Sequence, residues 1–413
     1  MDKSIPQIRF PGFKEPWEQR KLGDIGSTYS GLSGKTAKDF GHGNANFVTY
    51  LNVFKNPIAD LEGTENIEID NKQTQVLKGD VFFTTSSETP EEVGMSSIWM
   101  GNQPNTYLNS FCFGYRPTVD IDRNFLAYVL RSPAVRSKII VLAQGISRYN
   151  ISKKKMMEIK IPVPSIPEQK AVGNFFIKLD EMITLHQRKL NLLRHQKKGL
   201  LQKLFPQAGE NEPELRFAGF TEPWEQREFS SVVKKFDYGL NAPSKKFDGI
   251  NQYLRITDID DQTRKYQKTD LVSPDTNLDI ADDYKLFEGD ILFARTGASV
   301  GKSFIYNEND GLTYFAGYLI RAKIIDDFVP EFFFEQTLSD RYKKFVSTTS
   351  QRSGQPGINA KEYGSFPVWI TSVEEQKVIS TFFEKIDSLI TLHQLKVESL
   401  SHLKKSLLDR MIV

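Results

Sequence analysis

The sequence predicts an α+β protein: two tandem mixed α/β domains related by pseudo-twofold symmetry and separated by an antiparallel coiled coil of two long helices. Three observations predict it. First, "RFPGFKEPWEQRKL" at Arg9–Leu22 returns as "RFAGFTEPWEQREF" at Arg216–Phe229, a shift of 207 residues. Second, Glu168–Phe205 matches Glu375–Ile412 at the same shift, with 19 identities in 38 positions. Third, the divergent stretches between these frames hold short runs of Val, Ile, Phe and Tyr bounded by Gly, Asn, Asp and Pro, the pattern of short strands. Self-similarity at a fixed spacing means that one structural unit is built twice. The boundaries that follow are a first mixed domain at 1–165, a first long helix at 166–205, a linker with the returning entry phrase at 206–222, a second domain at 223–372 and a second long helix at 373–413.

Each element has a counterpart. Trp17 and Trp224 of the repeated phrase are expected to pack where a domain joins its helix, with "EQR" starting the first element. "FVTYLNV" (Phe47–Val53) parallels "YLRITDI" (Tyr253–Ile259), and "LKGDVFFTTSSETPEEVGMSS" (Leu77–Ser97) parallels "FEGDILFARTGASVGKS" (Phe287–Ser303), all read as short strands and their loops. "RNFLAYVLRSPAVRSKI" and "PEFFFEQTLSDRYKKFV" read as one helix late in each half. From Phe176 to Leu204, and again from Phe383 to Met411, seam residues recur in alternating steps of three and four, which favours lengthwise helix packing. His186, His393, Lys197 and Lys404 fall on that seam. The histidines are expected to fix register, not to bind metal, because no Cys, further His or carboxylate recurs around them at ligand spacing. Pro206 stops the first helix and the short polar "QAGENEPE" leads straight into the second domain, so the helices are expected to pair antiparallel, each about 57 Å long.

Composition narrows the function. With 39% hydrophobic and 12% aromatic residues the chain can bury real cores. The N-terminus lacks an apolar signal core and no run is long enough to cross a bilayer, so a cytoplasmic protein is expected. A lone Cys112 excludes an intramolecular disulfide and paired-cysteine zinc sites. The net charge of +2 hides an uneven distribution: Arg131–Lys160 holds eight Lys or Arg against one acid, and Arg341–Lys361 holds five and no acid. Two basic stretches at comparable places in two heads, carried on a long spacer, fit a periodic anion with separated half-sites, which is DNA. No nucleophile–base pair emerges from the five histidines. "TGASVGKS" lacks the glycine that a P-loop needs five residues before its Gly-Lys-Ser, so a nucleotide site is not expected.

The chain resembles the specificity subunit of type I restriction-modification systems over essentially its full length. The two "GFxEPWEQR" openings, "GDILFARTGASVGKS" and the "IPVPSIPEQKAVGNFF" type of lead into each long helix carry the resemblance. The first copy departs from it at "GDVFFTTSSETPEEVGMSS", which lacks the counterparts of Arg295 and Lys302. The resemblance implies a non-catalytic subunit whose two target recognition domains each read half of a split double-stranded DNA sequence. It also implies that the helices set the gap and dock two methyltransferase subunits, and that two ATP-driven restriction subunits complete the complex. S-adenosylmethionine, ATP and Mg would then sit on partners, with no cofactor on this chain. The competing reading is a coiled-coil scaffold with two protein- or glycan-binding heads.

Candidate DNA-binding residues in the first head are Arg148, Tyr149, Asn150, Lys153, Lys154 and Lys155, where lysines attract phosphate and Tyr or Asn can reach bases. In the second head they are Arg352, Ser353, Gln355 and Asn359 with Lys343 and Lys344 nearby, and Arg295, Thr296, Lys302 and Ser303 from the loop after "DILFA". Tyr253 and Arg255 join them from a strand whose alternation buries one of the two.

Overall fold

In the computed structural model, which describes residues 5–207, 209–352 and 354–413, both copies of the repeat build the same four-stranded antiparallel sheet. Its order in the first copy is Gly26–Ser30, Cys112–Pro117, Val81–Thr84 and Ser96–Ile98. In the second it is Val233–Tyr238, Leu319–Ile324, Ile291–Ala294 and Ser303–Ile305. "VFFT" and "ILFA" are buried along their whole length. Strands covered on both faces read as continuous apolar runs, not alternating ones. A second, smaller pairing repeats too: Asn46–Val48 lies parallel to Thr106–Leu108, and Gln252–Leu254 parallel to Thr313–Phe315. Gly31 and Gly239 follow the first sheet strand of each copy, and a Cβ there would collide with the carbonyl of Asn109 or Ala316, so only glycine fits.

The chain divides into two units, one of residues 1–187 with 394–413 and the other of residues 188–393. This division cuts both long helices, Ile166–Lys203 and Val373–Met411, so each unit contains one head and half of each helix. In the first unit Met411 and Ile412 pack with Val172 and Phe176, while Lys404 reaches Asp180 at 2.5 Å. In the second unit Phe383 stacks on Phe205 at 6.4 Å between centroids, while Lys197 reaches Asp387 at 2.8 Å. In both, residue numbers rise on one helix as they fall on the other, so the helix segments pack antiparallel.

Two sequence expectations need correction. "FVTYLNV" is a strand only to Val48; the Thr49 hydroxyl then accepts a hydrogen bond from Asn52 N and caps a short helix, Tyr50–Lys55. The late helix of each half is two helices. Ser132 caps Pro133–Ile140 just after Arg123–Val129 ends, and Ser339 caps Asp340–Thr349 after Pro330–Gln336. Proline at the first turn of Pro133–Ile140 starts a new helix there because its missing N–H has no partner to lose.

The repeated phrase explains itself in packing. Arg9 donates to both carboxylate oxygens of Glu168 at 2.6 and 2.8 Å and to the Glu15 carbonyl. Arg216 does the same with Glu375 at 2.8 and 2.9 Å and the Glu222 carbonyl. Both glutamates are 1% exposed or less. "EQR" pairs as a strand with the segment leading into each long helix, Glu18–Lys21 with Lys160–Val163 and Glu225–Glu228 with Pro367–Ile370. Trp17 packs edge-on against Phe125, and Trp224 edge-on against Phe205 and tilted against Phe332.

The seam lysines are also accounted for. Lys404 pairs with Asp180, which accepts from Tyr128 Oη at 2.9 Å. Lys197 pairs with Asp387 and with Glu335, which stands 207 residues beyond Tyr128. One copy closes its knot with a neutral phenol and the other with a second carboxylate. Burial, with Asp387 beside it and against the pull of Lys197, raises the Glu335 carboxyl from 4.5 to about 7.

Two outcomes follow. Arg216→Ala strands a buried carboxylate and costs about 3–5 kcal/mol in urea unfolding, whereas Arg216→Ala with Glu375→Gln costs less because no buried charge remains. Glu335 holds its proton more tightly in the folded state, so its contribution is complete below the unfolded value of 4.5 and is lost as pH rises through about 7. Glu335→Gln therefore flattens the fall in stability over that window, measured by denaturation across a pH series.

Candidate nucleic-acid interface

Loop stations at the mouth of each sheet correspond bond for bond. Thr85 N donates to Phe111 O at 2.9 Å, and Ile151 N donates to Thr85 O at 3.0 Å. Arg295 N donates to Tyr318 O at 3.0 Å, and Ile358 N donates to Arg295 O at 2.9 Å. Phe111 and Tyr318 are exposed aromatics one repeat apart, at 58% and 63% exposure. Thr85 and Arg295 thus occupy one backbone position with different side chains.

In the first unit Tyr149–Asn150 pairs antiparallel with Ser86–Ser87, and the exposed Arg148 precedes that strand on a turn closed by Gln144 and Asn150. Lys153 is half-buried; its Nζ donates to Ser30 Oγ at 2.8 Å and lies 5.9 Å from the Phe113 ring centre. Lys154 and Lys155 are exposed on the short helix Lys153–Met157. The wider basic stretch is not one surface. Arg131 donates to the carbonyls of Val53, Phe54, Asn56 and Ser96, and Arg136 to those of Glu91, Val93 and Gly94. Burial pushes both guanidinium groups down to about 10. They tie loops to helices and are not offered to a ligand.

In the second unit Thr296 bridges to Gly357, and Gly297 N donates to Pro356 O at 3.0 Å, so Arg295, Thr296 and Gln355 come together. Asn359 lies beside them but accepts from Glu362 N to cap the helix Ala360–Gly364, whose first amide also donates to Tyr238 Oη at 3.3 Å. Arg352 pairs with Glu362 and donates to the Thr349 and Gln351 carbonyls. Lys344 is exposed; Lys343 pairs with Asp340 and lines a different cleft of 710 Å³ with Lys198, Arg264 and Lys265. Ser353 lies outside the described residues.

Three candidates sit in the interior instead of on the surface. Tyr253 is 3% exposed and donates to Leu240 O at 2.6 Å. Lys302 is 7% exposed, donating to Ile259 O at 3.0 Å and pairing with Asp261. Ser303 is bonded to Thr337 Oγ1 at 2.7 Å. The reason is the sheet: Ser303 begins a strand, so "GKS" turns inward where a P-loop would open a helix. Arg255 is committed as well, its guanidinium forked onto Asp258 at 2.7 to 3.1 Å.

Arg295 is different. Its guanidinium lies 5.3 Å from the Tyr238 ring centre and 5.9 Å from that of Tyr318. Among the described residues its side chain makes no hydrogen bond or ion pair, and its Nε is buried without a partner. It opens onto a cleft of 620 Å³ whose lining includes Tyr238, Asn241, Arg255 and Tyr318. Ser30, Phe111, Tyr238 and Tyr318 stand beside the candidate residues without having been among those the sequence offered. The recurrence of an aromatic at 111 and 318 was the available signal, obscured because most aromatics in these heads are core.

The comparisons agree on one family. The model described as "Type I restriction modification DNA specificity domain" matches residues 14–195 and 221–402. The type I restriction enzyme EcoKI specificity subunit of Escherichia coli K12 is 25% identical over 82% of this chain and 77% of its own. The MjaVIII specificity subunit of Methanocaldococcus jannaschii is 22% identical over 99% of this chain and 94% of its own. In fold, the chain is similar to the S subunit of a type I restriction-modification system from M. genitalium, with a TM-score of 0.61 at 13% identity over 99% of both chains.

Burial separates two classes of basic residue. Lys302→Met removes a buried ammonium bond and is expected to cost about 1–3 kcal/mol in urea unfolding. Lys344→Ala, at an exposed position, changes stability by less than about 0.5 kcal/mol in the same measurement.

Proposed function

The chain belongs to the family of type I restriction-modification DNA specificity domains, of which it carries two, and from that premise we propose that it is the non-catalytic DNA-recognition subunit of such a system. Each unit reads one half of an asymmetric bipartite target in double-stranded DNA. The observation that carries this reading is the pair of equivalent backbone stations with different occupants, Thr85 in one copy and Arg295 in the other. One scaffold used twice gives two reading heads; different side chains on it give two different half-sites. Lys154, Lys155, Lys344 and Arg148 supply phosphate attraction at the surface, while the loop stations face the bases. The named relatives are specificity subunits, which supports DNA recognition over a scaffold with protein- or glycan-binding heads.

Chemistry is carried out by partners in this reading. Two modification subunits methylate adenine with S-adenosylmethionine, and two restriction subunits use ATP and Mg to translocate and cut. Met182 and Leu185 on the first long helix, and Leu389 and Leu392 one repeat later, are exposed apolar residues. Two equivalent apolar patches support docking of two copies of one partner. No helix among the described residues is long and apolar enough to cross a membrane, and the complex is assigned to the cytoplasm with its DNA.

The test is to map methylated adenines in a host with and without this chain. One bipartite motif is expected to lose its methylation; an unchanged map in a host with active partner subunits contradicts the proposal. Duplex binding should weaken steeply from about 50 to about 200 mM salt, with a log–log slope near −0.9 per phosphate contact.

A further inference from the structure

We infer that Arg295 reads a guanine in the half-site of the second unit, an assignment that rests on the DNA-recognition reading above. An arginine that neutralises phosphate needs only charge and reach. Arg295 is built otherwise: half-buried, with its guanidinium held by two tyrosine rings and directed at a cleft. Cation–π contact of this kind restrains the guanidinium without engaging its N–H donors. The other arginine of this cleft, Arg255, is occupied by Asp258, whereas among the described residues no carboxylate pairs with Arg295.

A planar fork with free donors matches the O6 and N7 acceptors of guanine in the major groove, the commonest specific arginine contact. Adenine presents an amino group where guanine has O6, so the second donor would meet another donor. Tyr318, exposed and lining the same cleft, lies 5.9 Å from the guanidinium on the side where a base edge would enter in this assignment. Thr85 holds the same station in the first unit and has neither the fork nor the charge. The two half-sites therefore differ at this position, and transplanting the motif of one head onto the other fails there first.

The experiment uses the full-length chain in its methylating complex, binding duplexes that carry its mapped motif with each guanine replaced in turn by 7-deazaguanine, which lacks the N7 acceptor. The expected result is one guanine, in the half-motif assigned to residues 223–366, whose replacement weakens wild-type binding by roughly 10- to 100-fold. That sensitivity disappears in Arg295→Ala and persists in Lys344→Ala. Arg295→Met, which keeps the length of the side chain but neither its charge nor its donors, also loses it and serves if the alanine variant does not fold. The inference is overturned if Arg295→Ala weakens all duplexes evenly and flattens the salt dependence, which marks a phosphate contact, or if it leaves 7-deazaguanine sensitivity intact. A wild-type complex that methylates no bipartite motif overturns the DNA-recognition reading itself, a separate outcome from either of these.

Discussion

Glu168 and Glu375 lie almost wholly out of water at the start of the two long helices, and each is matched by both donors of one arginine from the repeated entry phrase. A buried carboxylate is tolerated only with such a partner. The arginine that supplies it also ties down the chain's approach through a backbone carbonyl, and the strand that follows pairs with the lead into the helix. Head and helix are thereby locked at one place in each copy. Most of the chain between these anchors differs between the copies, while the sheet and the close turns at Gly31 and Gly239 are kept. This is why the frame repeats nearly word for word while the heads diverge.

The same logic reaches the helices. Lys197 and Lys404 occupy seam positions that apolar residues would fill at less desolvation cost, yet each finds an aspartate on the opposing segment. Such pairs specify which residues face each other, a role in keeping with polar groups at core positions. Replacement of Tyr128 by Glu335 in the second copy shows that the third member of the knot is not constrained in the same way.

Much of this was legible in the sequence because repetition is a strong signal. The shift of 207 pointed to two copies of one fold, to the antiparallel helices and to the entry phrases. Local breaks were harder: Ser132-Pro133 interrupts a run whose apolar spacing looks continuous, and Thr49 ends a strand that composition would extend. The sequence offered candidate residues without showing which of them the fold exposes. Lys302 looks like a surface polar group in a string of letters, but the sheet turns it inward where a backbone carbonyl accepts its donor; of Tyr253 and Arg255, one of which the alternation was expected to bury, Tyr253 is the buried one. Arg131 and Arg136 inflate the apparent basic surface for the same reason. Tyr238 and Tyr318 stand 80 residues apart, and only the fold reveals that both rings lie close to one arginine.

The central claim is that two heads on one repeated frame read DNA independently. The most direct measurement exchanges residues 223–366 for the corresponding segment of a relative with a different target, then maps methylated adenines genome-wide in a host with active partner subunits. The account predicts that one half of the bipartite motif changes to that of the donor while the other half and the gap stay fixed. A change in both halves, or in neither, would contradict it.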